Sequence, residues 1–430
     1  MLMLVMFTAM LAMILINVPI GIALAIAATF GIVLTGGVDN LLSIGIEMYR
    51  GATGFPLIAI PMFVLAGAIM NAGGISRRLI AFVSALIGFV RGGLAMVNIG
   101  VSLFFAEISG SAVADVAALG SVLIPEMKKR GYTGPFAAAV TSSSASLAII
   151  IPPSIPMILY GVSANASIEQ LFLAGLVPGF FGGLLMMVVA YIFARKYNFP
   201  VEEAFNTKHL WATFVDALPA LLLPVIILGG IFGGLVTATE AAGLAVVAAL
   251  IVGVIYRDFD WAHLKQSMLD GGVQTAVVMI LVAASVLMGD LLTVSKVPQT
   301  LAEGIISLTN NKYLVLLILN VFFLVIGFFL HSAAAIILVI PIVLPLIEKV
   351  GIDPVHFGLI VTLNLAIGQQ TPPVASVLIT SCSIAKADIW QTTKVNIWFI
   401  AVLLTVLLMC TYIPAIPMFL VDYFYPNRLR

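Results

Sequence analysis

A double proline stands at Pro152-Pro153 and again at Pro372-Pro373, and 372 − 152 = 220. The first closes the stretch TSSSASLAIIIPPS (Thr141–Ser154), and the second lies in NLAIGQQTPPVAS (Asn364–Ser376). Both set hydroxyl or amide side chains beside a helix-breaking pair in otherwise apolar sequence. In hydrocarbon, backbone N–H and C=O groups left unpaired are costly, so such a break is tolerated only where it is buried in protein or lines a cavity. One break alone reads as a plain kink. Two at a fixed offset predict a duplicated fold whose site lies at the breaks.

Composition shows that the surroundings are a bilayer. The chain is 62% hydrophobic and 9% charged, where a soluble domain is about 25% charged. Its apolar runs are continuous and not alternating, which predicts membrane helices and excludes an outer-membrane barrel. A formal net charge of +0 offers no electrostatic surface for nucleic acid. Cys382 and Cys410 are isolated in apolar sequence and read as packing residues. The phosphate-binding GxxxxGK[ST], the metalloprotease HExxH and the esterase GxSxG are all missing. The run 2–16 lacks a basic leader and a small-residue cleavage site, and is read as a retained helix.

Residues 2–16 and 19–34 read as two spans split at Asn17-Val18-Pro19, 56–70 as a third, and 75–90 as an interfacial or tilted helix opening on Ser76-Arg77-Arg78. Residues 93–106 give about 14 residues of helix, roughly 21 Å, too short for a hydrocarbon core of about 30 Å. They end in Glu107-Ile108-Ser109-Gly110-Ser111 and return as 112–124 to Lys128-Lys129-Arg130. Half-length legs and a polar tip predict a re-entrant hairpin over 93–125. A broken helix over 135–163, interrupted at 148–154, and a span at 170–193 follow. The second half keeps this order. Spans at 218–234, 240–256 and 272–292, with an interface helix at 258–270, precede a hairpin over 314–346 with His331-Ser332 at its tip. A broken helix over 357–384, interrupted at 368–373, and a last span at 392–411 complete it.

The predicted fold is thus an all-α polytopic membrane protein with two re-entrant hairpins and two broken helices. It divides into a first repeat 1–196, a loop 197–217 and a second repeat 218–430. An odd number of crossings per repeat makes the topology inverted, a design common to secondary transporters. The positive-inside rule puts Arg77-Arg78, Arg91, Lys128-Lys129-Arg130, Arg195-Lys196, Arg257 and Lys386 on the cytoplasmic side. The second hairpin then opens outward, with Lys312 and Glu348-Lys349 at its base and the N-terminus external. Arg428 and Arg430 count against that scheme.

A break frees carbonyls at one half-helix end, which suit a hard cation, and N–H groups at the next half-helix start, which suit an anion. Neutral side chains at Ser109-Gly110-Ser111, Ser142–Ser146, His331-Ser332 and Asn364–Thr371 add ligands without burying charge. Such a cage can take a carboxylate and Na+ together. No intramembrane basic residue other than His331 is placed to hold an anion.

The chain resembles the large membrane subunit of tripartite ATP-independent periplasmic (TRAP) transporters, the DctM-type family of the ion transporter superfamily. The likeness runs the whole length. It is most specific in GFPLIAIPMFVLAGAIMNAGGI, SGSAVADVAALGSVLIPEMKKRGY, IIPPSIPMILYG and GQQTPPVA. The resemblance implies a bacterial inner-membrane secondary transporter, not an enzyme. It implies Na+-coupled uptake of an organic acid, handed over by a periplasmic substrate-binding protein, with a small four-helix membrane subunit as a separate chain. It further implies an elevator, in which hairpins and broken helices form a transport domain moving against a scaffold. Gly110, Ser111, Ser144 and Pro152 are expected around one sodium, and Ser332, Gly368, Thr371 and Pro372 around another. Ser109, Ser143, His331, Asn364, Gln369 and Gln370 are expected around the substrate, with sialic acid placed ahead of a C4-dicarboxylate. The alternative is a self-sufficient anion:Na+ symporter or a Na+/H+ antiporter of the same superfamily. An antiporter would carry paired buried aspartates, and Asp115 alone is not such a pair.

Overall fold

The computed structural model describes residues 18–426 except 202–203, 258–260 and 310, together with residues 6, 8–10, 12–13 and 16; for 36, 38, 107–109 and 263 it describes the backbone alone. The expected span 2–16 falls mostly outside these residues, as do Arg428 and Arg430. The described residues are helical, with no strand among them.

The first half runs through α1 (Ile20–Gly36), α2 (Leu41–Ala52), α3 (Ala59–Ala72) and α4 (Ile75–Ile87). The hairpin legs α5 (Gly93–Ser109) and α6 (Ala112–Lys129) follow, then the half-helices α7 (Gly134–Ala145) and α8 (Ile155–Ser163), and α9 (Ile168–Lys196). The second half has α10 (Thr207–Phe232), α11 (Ala238–Tyr256), α12 (Trp261–Val294) and α13 (Val297–Leu308). Legs α14 (Lys312–Phe329) and α15 (Ser332–Lys349) lead to half-helices α16 (Pro354–Gly368) and α17 (Ser376–Ala385), then α18 (Ile389–Tyr412) and α19 (Ala415–Phe424).

The same contacts are made twice with the halves exchanged. α3 packs on α11 and α1 on α12, while α3 and α12 pack on each other. Likewise α17 packs on α6 and α8 on α15. Turn geometry repeats with them. Left-handed Gly37 (φ 78°) and Gly131 (φ 89°) have left-handed counterparts 220 residues on at Arg257 (φ 52°) and Gly351 (φ 71°). Thr133 caps α7 and Asp353, again 220 residues on, caps α16.

Several elements differ from expectation for local reasons. The separate interface helix at 258–270 does not form, because α12 is one helix of 34 residues. Gly271 does not break it, since the missing side chain lets α3 approach: a Cβ there would stand 2.8 Å from Val64. The polar stretch after α9 enters α10 at Thr207, because the Asn206 side chain accepts from the Lys208 and His209 N–H groups and caps the helix. Hairpin legs are longer than expected. α6 runs through Pro125 to Lys129, held on both sides by α7 and α17. α13 and α19 have no counterpart in the expected elements.

The basic residues expected on one face come together in two groups. Lys128 Nζ donates to the Ala385 carbonyl at 2.7 Å, one residue from Lys386. Gly92 N–H, beside Arg91, donates to the Pro200 carbonyl at 3.0 Å. Phe199 packs on Tyr132 with ring centroids 4.4 Å apart, and Arg78 lies over the Tyr256 ring at 3.8 Å, next to Arg257.

Candidate functional site

Each hairpin reverses onto a polar cap. Gly110 is left-handed (φ 59°), and the Ser111 hydroxyl caps α6 by accepting from the Ala114 N–H at 3.5 Å. His331 does the same for α15, where Nδ1 accepts from the Ala333 N–H at 3.4 Å. By position in the turn, Ser111 therefore matches His331, and Ser332 matches Ala112. With Nδ1 accepting, the neutral ring carries its proton on Nε2, leaving a donor.

The first break passes from α7 through a tight turn, Ser146–Ile149, to Ser154. Ser154 donates to the Ile149 carbonyl at 2.7 Å and accepts from the Met157 N–H at 3.4 Å. The second break ends on left-handed Ala375 (φ 43°). The Pro152–Pro153 and Pro372–Pro373 bonds are both cis. Residues 150–154 are wholly buried, whereas Pro373 and Val374 are exposed.

Tips and breaks then converge. A Cβ on Gly110 would stand 2.9 Å from the Pro153 carbonyl oxygen and 3.2 Å from Ile155 N, so only glycine lets the first tip seat on the first break. In the second half the Gly368 and Gly327 backbones meet, a Cβ on Gly368 falling 2.5 Å from Gly327. The Val374 N–H donates to the Phe328 carbonyl at 3.3 Å. Between the tips is a cavity of about 20 Å³ whose lining includes Ser111, His331, Ser332, Gln369 and, from α12, Gln274. It has room for one water-sized species. By length and composition α14 and α15 are each able to cross a membrane. Their tip nevertheless meets the other tip beside the two breaks, the arrangement expected of a pair of re-entrant hairpins.

Three helix starts, at Ala112, Ile155 and Ser332, line this cavity together with Gly110 and Gln369, where α5 and α16 end. N-termini supply partial positive charge and C-termini supply carbonyls, so groups that favour an anion and groups that favour a cation meet around a space that holds one small species in this conformation. Gln369 is 2% exposed, and among the described residues neither Oε1 nor Nε2 has a hydrogen-bond partner. Among the described residues no three His, Cys, Asp or Glu side chains come together to hold a metal, so a cation here takes neutral oxygens.

Among the described residues, the other expected site residues do not line this cavity. Ser144 accepts from Ser102 Oγ at 2.9 Å and lies 3.3 Å from Asn98 Oδ1. Asn364, 220 residues on, donates from Nδ2 to Asn320 Oδ1 at 2.7 Å, and its buried Oδ1 has no partner. Both thus tie a broken helix to the first leg of its own hairpin. Ser143 Oγ is 2.8 Å from Gln370 Oε1 and 2.6 Å from Asn396 Oδ1, a buried junction between the halves and not part of the cavity wall. Thr371 donates to the Ile367 carbonyl at 2.8 Å. Gly368, Pro152 and Pro372 form the breaks themselves, and the Ser109 side chain is outside the described residues. Sequence reasoning did not single out Asn98, Gln274, Asn320 or Asn396. Asn98 and Asn320 are lone amides in apolar helices, a signal that could have found them, whereas Gln274 and Asn396 share their helices with Gln266 and Gln391.

A larger space of about 560 Å³ opens between α6, α3 and α12, and its lining includes Asn71, Ser111, Ser121, Asp270 and Gln274. That volume suits a small organic ligand. Ser111 and Gln274 line both spaces, so the two adjoin at the first tip, and the large one extends from there along α6 as far as Val122.

Comparison with known proteins agrees with this architecture. Residues 7–416 match the family model of the tripartite ATP-independent periplasmic transporter, DctM component. The chain is 42% identical over 94% of its length to an isethionate TRAP transporter permease protein, DctMQ, of Oleidesulfovibrio alaskensis, and spans 64% of that protein. It is 38% identical to a C4-dicarboxylate TRAP transporter large permease protein of Pseudomonas aeruginosa, covering 88% of this chain and 89% of the relative. It is 37% identical to the 2,3-diketo-L-gulonate TRAP transporter large permease protein of Escherichia coli, covering 85% and 87%. The Alcanivorax borkumensis YdaH transporter, whose crystal structure shows an unusual topology, shares the fold at a TM-score of 0.63 and 14% identity, over 87% of this chain and 89% of that one. The chain therefore belongs to the DctM family: it is the large, multi-pass inner-membrane permease component of a tripartite ATP-independent periplasmic transporter, and not an enzyme.

Proposed function

We propose that this permease carries a small organic acid inward together with Na+, by an elevator movement of its hairpins and broken helices. The observation that carries this reading is Gln369, a buried amide with no partner at either atom, facing a cavity where helix starts and helix ends meet. An anionic oxygen accepts from Gln369 Nε2, from His331 Nε2 and from the helix starts. Sodium takes the carbonyls and neutral oxygens at Gly110, Ser111, Ser144 and Pro152 on one side. On the other it takes those at Ser332, Gly368, Thr371 and Pro372, with Asn364 Oδ1 near. No charged side chain is needed, because ion and acid offset one another.

The relatives are named for isethionate, C4-dicarboxylates and 2,3-diketo-L-gulonate, which moves the expectation from sialic acid to smaller acids. The 560 Å³ vestibule has room for such an acid, and its course along α6 away from the first tip supports a cytoplasm-facing conformation. A small membrane subunit and a periplasmic binding protein complete the system, and the relative's fused name, DctMQ, accords with such a partner. The test is uptake into proteoliposomes holding both membrane subunits, with a matched periplasmic binding protein and its radiolabelled acid. Uptake should require the binding protein. Equal uptake without it would favour a self-sufficient symporter instead.

A further inference from the structure

We propose that Gln274 is a gating residue contributed to the site by α12. It separates the central cavity from the cytoplasmic vestibule. This rests on the transporter reading above, because a gate has meaning only on a path.

α12 packs along α3, α1 and α15. It faces the second leg of the first hairpin, α6, across the vestibule, whose lining comes from α3, α6 and α12. A side-chain bond crosses that gap at its inner end. Gln274 Nε2 donates to Ser111 Oγ at 3.3 Å. Both residues line the small cavity on one side and the vestibule on the other, so their bond lies across the neck between the two. Deeper than the neck, Ala112 is buried at the start of α6, while Ala118, further down α6, is half-buried in the vestibule wall.

The bond is a neutral pair between a long flexible amide and a capping hydroxyl, worth about 1 kcal/mol net. Such a contact holds a neck closed between turnovers and yields when substrate or ion leaves. Both residues have other duties. Ser111 caps α6, so parting the pair leaves its hydroxyl engaged. Gln274 swings on its own rotamers without moving α12. The fixed helices thereby take part in the site, which the tips and breaks alone do not close.

The test is the accessibility of single cysteines to a membrane-impermeant maleimide, applied from the Lys128 side to the reconstituted complex without substrate or sodium. Ala112→Cys reports beyond the neck and Ala118→Cys in front of it. Gln274→Ala should raise labelling of Ala112→Cys roughly fivefold, the factor that follows from one lost neutral hydrogen bond, and leave Ala118→Cys unchanged. Gln274→Met, similar in length but without a donor, should also raise it. Unchanged Ala112→Cys labelling in Gln274→Ala overturns the proposal, and closure restored by Met reduces Gln274 to a plug without a latch. Labelling does not depend on transport, so a failure of the uptake test and a failure of the gate are told apart.

Discussion

A buried amide with both atoms unpartnered, as at Gln369, penalises the folded state by about 1–3 kcal/mol for each unmet group. Gln369→Leu should therefore leave thermal unfolding unchanged or move it upward, while KM for the acid rises about tenfold or more at saturating sodium. A fall in unfolding temperature with an unaltered KM would show that the amide is structural. Asn396 is the opposite case, since it satisfies Ser143 and Gln370 at the junction of the halves. Asn396→Leu strands buried polar partners and should destabilise by about 1–3 kcal/mol. On the proposed two-sodium reading it should also bring the sodium Hill coefficient of uptake towards one, because the Asn396 amide bonds both Ser143 of α7 and Gln370 of the second break. A Hill coefficient equal to that of the unmutated protein would confine the junction to stability. These amides also mark the limit of the sequence. Two proline breaks announce themselves by composition, whereas Asn98, Gln274, Asn320 and Asn396 are single letters whose partners lie in other helices.

At the scale of elements, close backbone approach decides where the halves can be joined. Gly368 stands against Gly327 with no space for a methyl group. Gly368→Ala should force α16 away from α14 and abolish uptake with a lowered unfolding temperature. Gly272→Ala, where a Cβ meets nothing within 4 Å, should be tolerated and even gain up to about 1 kcal/mol of helix propensity. Similar losses in both variants would contradict the packing. The half-helices and hairpins were legible because their signals are local: length, a polar tip, a proline pair. The single run of α12 was not, because whether Gly271 breaks a helix depends on what packs against it, and Val64 lies far off in sequence. Nor was α13, whose residues make no long apolar run and which is held by packing on α15.

For the whole molecule, the exchange symmetry of α3 on α11 and α1 on α12 leaves the tips and breaks of both halves at one place. The sides of the site are nevertheless unequal. A vestibule leads to it along α6, and the first break is buried while part of the second is exposed. Under the proposed alternating-access reading this asymmetry marks one endpoint, and the basic residues Arg91, Lys128, Lys196 and Lys386 support a cytoplasm-facing one. The charge rule was readable from sequence. The open path was not, because it belongs to a conformation and not to a motif. The central claim, that sodium and acid share the cage, is tested most directly by initial uptake rates in proteoliposomes containing both membrane subunits and the binding protein. An inward sodium gradient should drive accumulation of the acid, and replacing sodium by potassium should abolish it. Accumulation that is indifferent to sodium, or driven equally by a proton gradient, would contradict the account.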